Sequence, residues 1–336
     1  MRAKPEERIQ MSHATIKVGV IGVGALGRHH ARLYRECDGV DLVGIYDRDP
    51  QRAAAVADEL HARVFREIPE LAEAVDGLSV AVPTDVHYEV VSRLLRKGKH
   101  VLVEKPITAT VAEGRKLVRL AEDRGLVLAV GHVERYNPVL ECLDRTPGVP
   151  RFIEAHRLAA YPPPRPGLRP RGTEVSVVLD LMIHDIDVLL DLVKSEVKSL
   201  DAVGVPVLSD SEDIANARIV FKNGCVANLT ASRVSADALR KIRVFKTSAY
   251  LSLDYQERRG EIAYQRDGAI VRDEVPVHEG NALKEELIDF CGCVRQVLNG
   301  GGRPAPRVSG EHGLAALRLA DRIMRSIRRN LPVEAR

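Results

Sequence analysis

The 336-residue chain has no tryptophan, only 4% aromatic residues and five cysteines. Cys37, Cys142, Cys225, Cys291 and Cys293 have neither the number nor the spacing of a disulfide framework, and Cys291-Gly292-Cys293 is too tight for the usual metal knuckle. Buried or incidental thiols and no metal site are expected. No apolar run approaches the ~18 residues that would suggest a bilayer span. Residues 1–10 are polar and lack the apolar core of a signal peptide, so a cytoplasmic location is expected. Met11 is placed as an alternative start would be, with a disordered tail before it. A large excess of one charge is missing too: 50 Lys and Arg against 47 Asp and Glu leave +3. With no basic block and no interleaved aromatics, nucleic acid is not an expected partner, while a small anionic substrate would suit a local cluster. There is no internal repeat.

What remains is an ordinary globular composition, 45% hydrophobic and 29% charged, long enough for two domains. Apolar runs at 17–21, 40–46, 78–82, 100–103 and 126–130 read as buried parallel strands. Amphipathic stretches at 26–36, 50–60, 69–75, 86–97 and 111–124 alternate with them as helices. Asp49-Pro50 is a cap followed by proline at the first helical position. This alternation predicts a doubly wound sheet. Beyond Asn137-Pro138 the pattern changes. A strand at 151–159 precedes a segment too rich in proline for a regular element, then a helix at 175–192. Strands follow at 199–207, 214–221, 225–232, 241–246, 249–254 and 261–265, with Asn223-Gly224 as a hairpin turn, and helices close the chain at 281–298 and 313–328. The expected fold class is α/β: an N-terminal Rossmann domain (15–135), then an α+β domain with a mostly antiparallel open sheet (136–304). Helix 309–330 is expected to pack back on the first domain. The open sheet is a natural contact for a homodimer or homotetramer.

Gly22-Val23-Gly24-Ala25-Leu26-Gly27 follows a strand and opens a helix. In that setting Gly22 permits the turn, Gly24 leaves room for a pyrophosphate, Gly27 lets helix approach sheet, and the helix N-terminus offers amides. Asp47 ends the next strand, positioned to accept hydrogen bonds from a ribose and to repel a ribose phosphate. NAD is thus favoured over NADP, with neighbouring Arg48 able to stack on adenine or to bind that phosphate. Pro83-Thr84, with His87 after them, and Glu104-Lys105-Pro106 leave the strands at 78–82 and 100–103 at the edge where a dinucleotide crosses. Asp180 and His184, spaced i and i+4, share a helical face on which a carboxylate can orient an imidazole.

Glu104-Lys105-Pro106, the glycine loop, Gly131-His132 with Arg135 and Asn137-Pro138, and Asp180 to Asp187 together resemble the Gfo/Idh/MocA oxidoreductase family from Ile16 onward. The resemblance implies NAD(P) on the first domain and a sugar-like polyol against the second sheet. It implies Lys105, Asp180 and His184 as catalytic residues and a cis peptide before Pro106. Met182 stands where many members have glycine. Arg135, Tyr136 and Asn137, with Arg165, Arg169 and Arg171 on the proline-stiffened loop, are the expected substrate contacts, since guanidinium groups suit phosphate. The pattern resembles the nucleotide-sugar branch, whose chemistry belongs to lipid A precursor synthesis. That implies oxidation of UDP-N-acetylglucosamine to a 3-keto sugar. Either Lys105 or His184 could be the base. A free-sugar or inositol dehydrogenase and a non-catalytic dinucleotide-binding regulator are the alternatives.

Overall fold

The computed structural model describes residues 15–163, 172 and 175–330. Its first half runs β1 (Ile16–Ile21), α1 (Ala25–Tyr34), β2 (Val40–Tyr46), α2 (Pro50–Leu60), β3 (Arg63–Val64), α3 (Ile68–Ala74), β4 (Gly77–Val80), α4 (His87–Arg96), β5 (His100–Glu104), α5 (Val111–Asp123) and β6 (Leu128–Gly131). The six strands are parallel in the order β3-β2-β1-β4-β5-β6. Winding reverses between β1 and β4, which opens a crevice at the carboxyl ends of the strands. Helices cover both faces, so every residue of β4, β5 and β6 is buried and no polar alternation is needed. Local chemistry sets the helix starts. Asp49 accepts from the Gln51 and Arg52 amides, and Thr110 with Glu113 forms a reciprocal capping box. The two-residue β3 is too short for periodicity to reveal.

Beyond β6, 3-10 turns at Val133–Tyr136 and Pro138–Leu140 lead to α6 (Glu141–Arg145) and β7 (Pro150–Leu158). A π-helical turn, Val178–Met182, runs straight into α7 (Ile183–Val193). The second sheet adds β8 (Val197–Val205), β9 (Ile214–Phe221), β10 (Val226–Ser232), β11 (Leu239–Lys246), β12 (Ala249–Asp254), β13 (Arg259–Arg266) and β14 (Ala269–Glu274). Its order is β14-β13-β12-β11-β7-β10-β9-β8, with only β7 and β10 parallel. Strand alternation puts Ile153, Ala155, Ala227, Leu229, Ile242 and Val244 into the core beneath α7. β14 escapes the sequence reading because it is almost wholly exposed and carries no burial pattern.

Two helices close the chain, α8 (Ala282–Leu298) and α9 (Gly310–Asn330). Grouping all of 136–304 with the second sheet needs correcting at α8. Leu287, Phe290, Cys291 and Val294 pack with Ile16, Val18, Leu33 and Tyr34 on the first sheet, where their apolar stripe is covered. α9 serves both layers: Leu314 and Leu317 join the core under α4 and α5, while Ala316, Leu319, Ala320, Ile323 and Ile327 join that of the second sheet. All five cysteines are free thiols, and burial pushes each of their pKa values up. Among the described residues no helix is long and apolar enough to cross a membrane.

Candidate active site and dinucleotide cradle

The glycine loop is built as its spacing requires. Gly22 has φ +83°, and an added Cβ would lie 2.7 Å from the Ala81 oxygen. A Cβ on Gly27 would collide with the Gly22 carbonyl, which is why helix and strand come so close. At Gly24 nothing lies within 4 Å of that position, so space opens before an α1 N-terminus that no side chain caps. Ala25 is exposed and Leu26 half-buried in the first turn. Uncapped amides beside open space suit phosphate. Asp47 closes the far side. Its carboxylate accepts from Val23 N at 2.8 Å and from Asp49 N at 2.9 Å, and Arg52 approaches to 3.3 Å. Arg48 and Pro83 are exposed, and Thr84 starts a 3-10 turn off β4. These residues fit a dinucleotide.

Two residues expected on the cofactor have other work. His87 is buried with Nδ1 2.9 Å from the Pro106 oxygen and Nε2 2.9 Å from the Val82 oxygen, so it ties two edge loops together. Burial lowers its pKa although both carbonyls pull the other way. Glu104 turns inward beneath the crevice, 2.9 Å from His30 Nε2.

Lys105 emerges at the end of β5, with a cis peptide to Pro106. Its Nζ donates to the Asp180 backbone oxygen at 2.6 Å and lies 3.4 Å from the Asp180 carboxylate. The expected pairing of Asp180 with His184 is not made, and no hydrogen bond joins them. A helix of 3.6 residues per turn stacks i over i+4, but the π turn winds more widely and offsets the two side chains. His184 instead meets His132 edge to face, with ring centroids 6.3 Å apart. Burial, then the charge of Lys105, pushes His184 well below the usual histidine range and His132 down to about 3. Both are neutral imidazoles at physiological pH, and neither the nitrogens of His132 nor Nδ1 of His184 have a hydrogen-bond partner. His132 was not singled out as a site residue, although a histidine directly after a buried strand was a readable signal. Gly172, at φ +84°, packs so closely that a Cβ there would collide with the Asp180 carboxylate. Lys105, Asp180, His184 and His132 thus form one constellation across the two sheets.

The expected substrate contacts of the Arg135 segment also need correcting. Arg135 pairs with Asp187 and Asp191 on α7, at 3.6 and 3.0 Å. Tyr136 donates to Asp289 at 2.7 Å, and the Asn137 side chain donates to Glu134 and the Tyr255 oxygen while accepting from Val139 N. Arg157 on β7 is likewise buried, in a fork to Asp185 at 3.0 and 3.1 Å, with Glu134 at 2.9 Å. Buried polar groups find protein partners, and these did. A depression of about 470 Å³ beside Arg135, Asp191 and Arg307 contains none of the constellation. Arg165, Arg169 and Arg171 lie outside the described residues.

Comparison with known proteins finds relatives in sequence and in fold. Residues 16–132 match the model of the oxidoreductase family with an NAD-binding Rossmann fold, and 144–252 match the GFO/IDH/MocA C-terminal domain. The UDP-N-acetylglucosamine 3-dehydrogenase of Acidithiobacillus ferrooxidans is 38% identical over 83% of this chain and 88% of its own. A crystal structure of that enzyme superimposes with a TM-score of 0.84, covering 93% and 97% of the two chains at 35% identity. An inositol 2-dehydrogenase of Rhizobium meliloti is 25% identical over 93% of this chain and 97% of its own.

Proposed function

The chain belongs to the Gfo/Idh/MocA oxidoreductase family, and from that premise we propose that it oxidises a secondary hydroxyl of a nucleotide sugar, UDP-N-acetylglucosamine at C3, with NAD. Its first domain is an NAD-binding Rossmann domain and the chain is a dehydrogenase. Bound NAD supplies the hydride acceptor, which no protein side chain can provide. The observation that carries the chemistry is the Lys105 ammonium, held at the crevice by Asp180 beside the neutral imidazole of His184. An ammonium there stabilises a developing alkoxide, and a neutral imidazole can take the hydroxyl proton. Asp180 holds Lys105 rather than His184. Gly22, Gly24, Ala25, Leu26 and Gly27 cradle the phosphates, Asp47 faces the ribose, and Thr84 lies toward the nicotinamide.

The substrate reading rests on the 38%-identical relative and on the arginines at 165, 169 and 171 in the sequence, a chemistry suited to a diphosphate. It is tested by following nicotinamide reduction with UDP-N-acetylglucosamine, free N-acetylglucosamine and myo-inositol at matched concentrations. Strong preference for the nucleotide sugar is expected. Preference for inositol would move the chain toward its inositol dehydrogenase relatives and leave the dehydrogenase assignment standing. Self-association through the outer face of the second sheet completes the proposal: Phe152, Phe245 and Tyr250 cluster there, with adjacent ring centroids 5.6 and 4.8 Å apart. Sedimentation of the native protein and of Phe245→Glu tests it.

A further inference from the structure

Glu286 sits on the apolar stripe of α8 between Leu283 and Phe290, 1% exposed, and neither of its carboxylate oxygens has a hydrogen-bond partner. It converges with His30 and Glu104, one ligand-type atom from each lying within 4.8 Å of the other two. We infer that Glu286 is a buried carboxylic acid whose proton is directed at Glu104, and that this one-proton pair positions Lys105. The role for Lys105 rests on the dehydrogenase reading. The protonation does not.

The neighbouring hydrogen bonds run in one consistent direction with Glu104 as the final acceptor. Tyr34 Oη lies 2.8 Å from Ser79 Oγ, Ser79 Oγ 3.1 Å from His30 Nδ1, and His30 Nε2 2.9 Å from Glu104 Oε1. With Tyr34 donating to Ser79 and Ser79 to Nδ1, the Nε2 proton is left for Glu104, and each proton in the row is used once. Lys105 N donates to the other Glu104 oxygen at 3.3 Å. Glu104 is therefore the ionised acceptor on which the row ends. Burial pushes its carboxyl up, but His30 and then Lys105 outweigh that and hold it below the ordinary range.

A second carboxylate in the same buried space has no protein donor of its own. The groups around Glu286 are His30 and Tyr34 from α1, Glu104 from the end of β5, Asp187 from α7 and Asp289 on α8 itself. Burial, then Glu104, Asp289 and Asp187, pushes Glu286 well above the carboxylate range. Two buried anions side by side repel, whereas a neutral acid beside an anion does not. The proton thereby lets α8 lie against β5, one residue before Lys105.

Urea unfolding of the full chain and of Glu286→Gln between pH 5 and 8.5 reads the proton directly. A folded pKa above the unfolded one means that stability is lost as pH rises from the ordinary carboxyl range toward the folded value. Glutamine has no such loss. The folding constant of Glu286→Gln relative to the native chain should therefore grow by up to tenfold per pH unit, and parallel curves would show Glu286 ionised and overturn the inference. The second readout is turnover with UDP-N-acetylglucosamine. Glu286→Gln, still a donor, should keep kcat/KM within about threefold, while Glu286→Leu should lose at least about tenfold in kcat with dinucleotide affinity intact. Equal losses in both variants would overturn the positioning role. Stoichiometric metal in the purified protein that disappears in Glu286→Gln would show a cation in place of the proton and would also overturn it. If no nucleotide sugar is turned over, the nucleotide-sugar reading fails while the unfolding series still decides the proton.

Discussion

Lys105 Nζ lies 2.6 Å from the backbone oxygen of Asp180 and 3.4 Å from its carboxylate, so main chain rather than side chain is the closer hold on the ammonium. The two residues are 75 positions apart and belong to different layers, one directly after β5 of the first sheet and the other in the π turn over the second. The contact brings a cation to the crevice with its reach already set.

Lys105→Ala should lower the rate of hydride transfer by roughly a thousandfold, the scale of a lost oxyanion-stabilising donor, with dinucleotide affinity changed by less than about threefold. Single-turnover kinetics and a dinucleotide titration separate the two effects. A near-native rate would remove Lys105 from the chemistry.

Asp180→Asn should be much milder, roughly tenfold in kcat, because the backbone carbonyl still receives the ammonium at 2.6 Å while the carboxylate stands farther off at 3.4 Å. If the asparagine variant falls as far as Lys105→Ala, the carboxylate has a role the contact distances do not suggest.

Asp47→Ala should weaken dinucleotide binding and narrow the preference for NAD over NADP. The substitution removes an acceptor from Val23 N in the glycine loop and also the charge that repels a ribose phosphate. Calorimetry with both dinucleotides checks it. Tighter binding of NADP by the native chain would shift attention to Arg48.

His132 should make the fold acid-sensitive. Burial and the charge of Lys105 put its pKa at about 3, below the ordinary 6.5. The unfolded chain therefore takes up a proton that the folded chain refuses, and stability falls as pH drops from about 6.5 toward 3. His132→Asn should flatten that slope by up to about 1.4 kcal/mol per pH unit. Urea midpoints at pH 7 and 4.5 for both proteins supply the comparison, and identical slopes would contradict a neutral His132.

Arg233→Met should cost about 3–5 kcal/mol, since it removes the cation paired with the buried Asp213 and leaves that carboxylate only the Val207, Leu208 and Ser209 amides and the Ser209 hydroxyl. The guanidinium pairs with Asp213 at 2.8 Å, donates to the Gly172 and Val175 oxygens and reaches Ser209 and Ser211. A denaturation curve measures the loss, and kcat should fall further than folding alone explains because Gly172 lies against Asp180. A change below about 1 kcal/mol would mean the site collapses around the missing cation.

The first sheet was legible because its strands are continuous apolar runs between capped helices, and α2, β2 and β9 begin and end where the residue pattern placed them. The glycine loop was legible for the same local reason. Partner choice was not. Arg135, Tyr136 and Asn137 look like ligand contacts until Asp187, Asp289 and Tyr255 arrive from 52, 153 and 118 positions away, and spacing says nothing about such meetings. The helical offset between Asp180 and His184 assumed an α turn where the chain makes a π turn. Glu286 was legible in principle, as a carboxylate placed where the helix stripe calls for an apolar residue.

Different faces of α9 belong to different cores: Leu314 and Leu317 to one, Ala316, Leu319 and Ile323 to the other. Melting either core strips the helix from its partner, so the two layers should lose structure as a single cooperative unit and a calorimetric scan should show one peak. The same splint resists hinge bending between the sheets. Entry and exit at the crevice then fall to side chains and edge loops, which exchange faster than whole layers swing.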